Sequence, residues 1–256
     1  MVFLEEGDRP HPLGREEGPT QVRIPVLSLT RSALAKVCPD RPLTMSPSSD
    51  ADAIVPLGVH LDLTLRLRRR TASLPNVIAR IPGRNPRVRG EYIVLGAHLD
   101  HLGLGERHSR AGAVGRGRVH PGADDNASGT AMVLELAREL RRNRPQRSVL
   151  LLHPAGEEEG LLGSSHWVRH PTVPLPSVKF MVNFDMVGRL DPQRPTLSLG
   201  GLGAPKALMD SIRALAPSDL TLMADSGMAV GGSDHLSFAA AKIPTLFFFT
   251  GVHTDY

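Results

Sequence analysis

Ser148-Val149-Leu150-Leu151-Leu152-His153, followed after Pro154-Ala155-Gly156 by Glu157-Glu158-Glu159, is the stretch on which the reading of this chain turns. Its apolar run does not alternate, so both faces must be covered, the pattern of a strand inside a largely parallel sheet. Three acids then stand where that strand ends, and Gly160-Leu161-Leu162-Gly163-Ser164 turns the chain into a helix. Adjacent carboxylates at the mouth of a buried strand repel one another and are costly to desolvate, and a cation offsets both costs. A solvated acidic loop is the ordinary explanation of an isolated Glu run. What the other strand exits carry argues against it.

On the N-terminal side, Tyr92-Ile93-Val94-Leu95-Gly96-Ala97 repeats the buried pattern and ends at His98-Leu99-Asp100-His101. Residues 102–120 are a Gly/Arg-rich loop with neither G-x-G-x-x-G spacing nor a Walker lysine, which gives nucleotide binding little support. Pro121-Gly122-Ala123-Asp124-Asp125-Asn126-Ala127-Ser128-Gly129 then opens a helix expected to reach about residue 142. Ala131, Leu134, Ala137 and Leu140 are assigned to its inner face, with Pro145 beyond its end. On the C-terminal side, residues 179–184 predict a third buried strand ending at Asp185-Met186-Val187-Gly188. A short strand at 196–199, an amphipathic helix at 204–216 and a short helix at 236–241 follow. The last strand, 243–249, ends at Thr250-Gly251-Val252-His253. Buried strands alternating with helices predict an α/β fold: a doubly wound, mostly parallel sheet with helices on both faces.

Nearer the N-terminus, residues 59–69 place Val59, Leu61, Leu63, Leu65 and Leu67 on one face of an antiparallel strand. With a strand at 76–81 it is expected to form an edge hairpin on the larger sheet. Residues 23–29 read as a strand, 30–37 as a short helix capped by Thr30, 38–53 as a linker and 1–21 as a poorly ordered tail.

Composition narrows the function. Of the 256 residues, 41% are hydrophobic but only 4% aromatic, so the core rests on Leu, Val, Ile and Ala. The longest apolar runs are too short to cross a bilayer. The formal charge is +4, and the Arg-rich segments 66–70, 84–89, 107–118 and 138–147 lack interleaved aromatics, which marks solvated surface rather than a nucleic-acid site. Cys38 is the sole cysteine, so redox chemistry says nothing of compartment. Residues 1–21 have neither the basic start nor the apolar centre of a signal peptide.

His98, the run 157–159, Asp185 and His253 fall just past predicted strand ends, and Asp124 and Asp125 precede a helix. In an open α/β sheet such ends converge on one crevice. A single His or Asp there is ordinarily a turn or cap residue. Four exits carrying only metal-competent side chains point to a divalent ion, and imidazole with carboxylate suits Zn²⁺, with Co²⁺ or Mn²⁺ possible.

The same motifs carry a resemblance. Gly96-Ala97-His98-Leu99-Asp100, the run from Gly122 to Gly129, Glu157-Glu158-Glu159-Gly160-Leu161-Leu162-Gly163-Ser164 and Asn183-Phe184-Asp185-Met186 resemble the co-catalytic di-zinc aminopeptidases. That family includes bacterial leucyl aminopeptidases and is related to glutamate carboxypeptidase II. The likeness runs in order over residues 76–256, and residues 22–37 more weakly resemble the end of a protease-associated insert. It implies a zinc-peptidase fold over residues 54–256, residues 1–53 being tail, insert remnant and linker. It also implies peptide substrates cut at the N-terminal residue by a water shared between two zinc ions. His98 and Asp185 would hold one zinc and Glu158 the other, with Asp125 bridging. Glu157 would be the general base and Asp100 would orient the His98 ring. Asp124 would be a neighbour, Glu159 exposed, and the Asp125–Asn126 bond cis.

The family places a fifth ligand, a His after a Tyr, one position beyond Tyr256, so the resemblance implies a peptidase domain incomplete at its C-terminus and a weakened second zinc. His253 reads as a loop histidine, as do His101, His108 and His120. Gly232-Ser233-Asp234-His235 resembles a family loop near the substrate pocket and equally suits a helix cap. Met186, Phe238 and Phe248 read as core in preference to the lining of a hydrophobic pocket for the first substrate side chain, and Trp167 reads as core. Two other readings stand beside the exopeptidase. One is a catalytically silent, peptidase-like interaction domain; the other is a glutaminyl-cyclase-like acyltransferase with a single zinc.

Overall fold

The structure, a computed structural model, describes residues 2–5, 27–30, 32, 35–36, 72–105, 109, 115, 117–224 and 232–253. It divides into two units, Met1–Thr71 and Ala72–Tyr256. In the first, β1 (Val2–Glu5) pairs in parallel with β2 (Leu27–Thr30), Val2 opposite Leu27. Ser32, Ala35 and Lys36 are helical. A strand at Val2–Glu5 departs from the expected tail. Val2-Phe3-Leu4 are good strand formers that the charged, Pro-rich residues after them outweigh in any average over the segment. The expected strand at 59–69 and the linker at 38–53 lie outside the described residues.

The second unit is built on one seven-stranded sheet. Its strands are β3 (Val77–Ile81), β4 (Tyr92–Gly96), β5 (Ser148–His153), β6 (Val178–Phe184), β7 (Thr196–Gly200), β8 (Thr221–Ala224) and β9 (Thr245–Phe249). They lie in the order β3-β5-β4-β6-β9-β7-β8. The four central strands β5, β4, β6 and β9 are mutually parallel. Antiparallel pairing enters at both flanks, where β3 meets β5 and β7 meets β9. This is the mostly parallel sheet with antiparallel edges that the apolar runs predict. β8 is the one strand of this sheet that the sequence reading omits, because Thr221-Leu222-Met223-Ala224 neither alternates nor forms a long apolar run.

Period-2 geometry sends alternate residues of the central strands to opposite faces. Val94, Leu150 and Leu152 join one core with Trp167 and Phe238, while Leu95, Val149 and Leu151 join a second with Val133 and Phe184. Every residue of β5 is buried, as an unalternating apolar run requires. The first core is closed by α2 (Leu162–Arg169) and α4 (His235–Ala240), whose Trp167 and Phe238 rings stack at 5.4 Å. The second is closed by α1 (Gly129–Arg142), so helices do cover both faces; α3 (Lys206–Leu215) follows β7.

The buried face of α1 includes the expected Ala137 and Leu140 but not Ala131 or Leu134, which are exposed. Val133 is fully buried and Leu136, Ala137 and Leu140 pack beside it, whereas Leu134 is 55% exposed. Steps of three residues drift around a helix of 3.6 residues per turn, so Ala131 and Leu140 stand half a turn apart. The stripe at 133, 136, 137 and 140 follows the true i, i+3, i+4, i+7 spacing.

The chain leaves β4 for β5 on one side of it and later for β6 on the other. The carboxyl end of β4 is therefore the point where strand order reverses, the preferred ligand position in such sheets. His98 stands two residues beyond it. No helix among the described residues is long and apolar enough to cross a membrane.

Candidate metal centre

Three strand exits and one turn converge at this point. β4 delivers His98, β5 delivers Glu157 and Glu158, β6 delivers Asp185, and the kinked turn Ala123–Ser128 ahead of α1 delivers Asp125. His98 Nε2 stands 3.1 Å from Asp125 Oδ1 and 3.5 Å from Asp185 Oδ1. Among the described residues, two groups of three metal-competent side chains form, His98 with Glu157 and Asp185 and His101 with Asp125 and Glu158. Within each group the ligand atoms lie no more than 4.8 Å apart. Asp125 faces both: its Oδ1 approaches His98, and its Oδ2 lies 3.8 Å from His101 Nδ1.

The turn and the β6 exit are laced together. Asn126 donates from Nδ2 to the Phe184 carbonyl and accepts at Oδ1 from the Gly129 and Met186 backbone N–H groups. Ser128 Oγ donates to the Asp124 carbonyl and accepts from Val187 N–H, and Gly188 N–H donates to Asp124 Oδ1. Residue 129 must be glycine, since a Cβ there would collide with Asn126 and the Phe184 carbonyl. The Asp125–Asn126 peptide bond is cis. Behind the site, buried Asn183 donates to Ser233 Oγ, which donates in turn to Asp185 Oδ2 at 2.7 Å.

The electrostatics follow from burial and crowding. Burial alone would hold the His98 imidazole low, but the carboxylates of Asp125 and Asp185 beside it, with the charge of Glu157, push it up to about 12. Burial pushes the Glu157 carboxyl up to about 9, against the lowering pull of His98 and with help from Asp185, Asp234 and Glu158. Asp234, wholly enclosed, rises to about 6, chiefly through burial.

The other expected residues fall as follows. Asp100 accepts from Gly156 N–H at Oδ2; its backbone carbonyl lies 2.9 Å from His98 Nδ1, while its own Oδ1 stands 4.0 Å away. Glu159 is exposed. His253 Nε2 stands 3.1 Å from Asp124 Oδ2 and belongs to neither group. The sequence reading missed His101, taken as a plain loop residue, whose Nδ1 lies 2.7 Å from Glu158 Oε1. It missed Ser233 as the support of Asp185, which only the juxtaposition of β6 and the start of α4 reveals. A pocket of about 330 Å³ opens beside the second group, bounded among others by His101, His120, Asp124, Asp125, Arg189 and His253.

The donor set fits zinc. Imidazole nitrogen and carboxylate oxygen are its ordinary ligands. His98 Nε2 and Asp185 Oδ1 are buried polar atoms that no well-aligned hydrogen bond satisfies, which is costly unless a cation takes their lone pairs.

Comparison with known proteins agrees. Leucine aminopeptidase 1 of Trichophyton rubrum is 37% identical over 119 residues, 44% of this chain and 29% of that protein. A zinc aminopeptidase from Bacillus subtilis superposes with a TM-score of 0.54 at 28% identity, covering 71% of this chain and 42% of the other. The LapA aminopeptidase of Legionella pneumophila gives the same TM-score of 0.54 and 28% identity, over 71% of this chain and 46% of its own. The matched region thus spans less than half the length of each of these relatives. Residues 76–256 match the profile of peptidase family M28, and the chain belongs to that family.

Proposed function

We propose that this chain carries the catalytic centre of a zinc-dependent exopeptidase, an aminopeptidase acting on peptides. The observation that supports it most is Asp125, whose two carboxylate oxygens face two separate groups of metal-competent side chains. His98 and Asp185 would hold one zinc, Glu158 the other, and Asp125 both. The ions would supply Lewis acidity that polarises a peptide carbonyl and acidifies water.

The protein's own groups do the rest. A carbonyl can only accept, so the Asp100 carbonyl fixes the hydrogen of His98 on Nδ1 and leaves Nε2 as the donor to metal. Glu157, next in sequence to Glu158 and grouped with His98 and Asp185, is placed to take a proton from water and return it to the leaving amine. The carboxylates bordering the pocket suit the free α-amino group of a peptide's first residue, which restricts cleavage to that residue. A single-zinc acyltransferase leaves the second group without a purpose, and a silent interaction domain leaves both.

Glu157→Gln is the direct test. The variant should retain its zinc, read by elemental analysis, and lose about 10²–10⁴-fold in release of a chromophore from a leucyl anilide. Unchanged turnover would remove Glu157 from this role. A wild-type chain that takes up no zinc would sink the proposal as a whole.

A further inference from the structure

Two of the arginine runs that stand far apart in the sequence meet in the fold. Residues 82–91 lead into β4, and residues 139–147, the last turn of α1 and the link beyond it, lead into β5. Because β4 and β5 are parallel, both segments lie at the same end of the sheet. Backbone bonds join them: Arg84 N–H donates to the Pro145 carbonyl, Asn85 N–H to the Gln146 carbonyl, and Ser148 N–H to the Glu91 carbonyl. Buried Ser148 adds its Oγ, which donates to the Arg89 carbonyl and accepts from Gly83 N–H. A Cβ at Gly83 would stand 2.5 Å from the Gln146 carbonyl oxygen, so the two segments are as close as a glycine allows.

Arginine gathers along this seam. Arg84, Arg87 and Arg89 stand on one side of it and Arg141, Arg142, Arg144 and Arg147 on the other, all of them exposed. The entries to β6 (169–179) and β9 (241–244), strands parallel to these two, add Arg169, Lys179 and Lys242. Against these ten basic side chains the four segments hold two acids, Glu91 and Glu139. That excess is twice the formal charge of +4 on the whole chain, so positive charge is segregated to this pole. Glu91 takes Arg147 at 2.7 Å, and Glu139 lies 3.9 Å from Arg142. The guanidinium groups of Arg84, Arg87, Arg89, Arg141 and Arg144 have no hydrogen bond or ion pair among the described residues.

Crowded like charges repel, and gathered anions remove that cost. What the pole lacks narrows the choice of anion. Its four segments contain no Phe, Tyr or Trp to stack on the bases of a single strand. They expose no large hydrophobic side chain that could enter a bilayer. What they offer is an array of guanidinium forks, each shaped to clamp a phosphate. The array also faces away from the metal centre, since the six residues of β5 separate the Arg147 end from the acidic exit by about 20 Å. A surface held at this pole leaves the crevice open to solvent.

We propose that the amino-end pole of the sheet is a docking surface for an anionic phospholipid membrane, held by arginine–phosphate contacts without insertion. The assignment is independent of the metal centre.

Vesicles of phosphatidylcholine with about 30% phosphatidylserine should carry the chain down on centrifugation at about 0.05 M salt, and phosphatidylcholine alone should not. Binding should be lost at about 0.5 M salt, since the contacts are electrostatic. Arg84→Gln/Arg87→Gln/Arg144→Gln removes three charges whose side chains hold nothing else in the fold. At about fivefold per basic residue, this variant should bind the vesicles about 100-fold more weakly. The matching triple lysine variant should stay within about tenfold of wild type, which separates lost charge from lost structure. A wild-type chain that ignores phosphatidylserine, a glutamine variant that binds unchanged, or a lysine variant as weak as the glutamine one would overturn the proposal. So would binding to duplex DNA tighter than to the vesicles at the same salt and lost through the same three substitutions, which would make the partner a nucleic acid.

Discussion

Loading the metal-free protein with zinc at pH 7 should release protons, in a number set by two crowded side chains. His98 is pushed up to about 12, so its ring is almost wholly protonated at neutral pH, and a nitrogen cannot ligate until that proton leaves. Glu157, at about 9, holds its proton about a hundredfold over at pH 7, and a nearby dication draws its pKa back down. Uptake of the ion beside His98 should therefore expel between about one and two protons, and its dissociation constant should fall about 10- to 100-fold per unit rise in pH. Titration calorimetry in buffers of different ionisation enthalpy reads the proton number as the slope of observed heat against buffer heat. Stability carries the same sign. Both groups have folded pKa values raised above 6.5 and 4.5, so their contribution is complete below those values and is lost as pH rises through about 9 and about 12. Asp234 acts likewise between 3.8 and about 6. The metal-free melting temperature should accordingly fall from pH 6 to pH 9. A buffer-independent heat, or a metal-free protein that gains stability over that interval, would refute the reasoning.

Two further outcomes follow from packing and support. Ser233→Ala removes the hydroxyl that joins Asn183 to Asp185 and should weaken zinc binding about 10–100-fold with little change in secondary structure, measured by competition with a chromogenic chelator. Val133→Ala should cost about 2 kcal/mol in denaturant unfolding, whereas Leu134→Ala on the exposed side of α1 should change stability by less than about 0.5 kcal/mol. Reversed costs would mean that α1 buries its other face.

What the residues disclosed in advance follows the range of the forces involved. β4, β5 and β6 were legible because an unbroken apolar run has one economical environment, a sheet covered on both faces. Their acidic and imidazole endings were legible because strand exits in such sheets meet at a crevice. The inner stripe of α1 is right at Ala137 and Leu140 and wrong at Ala131 and Leu134, where a strict spacing of three drifts off the face that the sheet covers. β8 carries no periodic signal and is a strand because β7 offers it a parallel edge. His101 could not be read from spacing. His98-Leu99-Asp100-His101 does not say which ring turns toward Glu158, fifty-seven residues away from His101.

The lacing of the β6 exit to the turn before α1 has a consequence for how the centre behaves when stripped. The side chains of Asn126, Ser128 and Asp124 hold the two segments by hydrogen bonds to backbone groups of 184–188, none of them made by a metal-ligand side chain. Asp125 and Asp185 are therefore carried on a common brace whose spacing owes nothing to the cation. Chelation should empty the cage without dismantling it, and a returning ion should find its seat without any refolding.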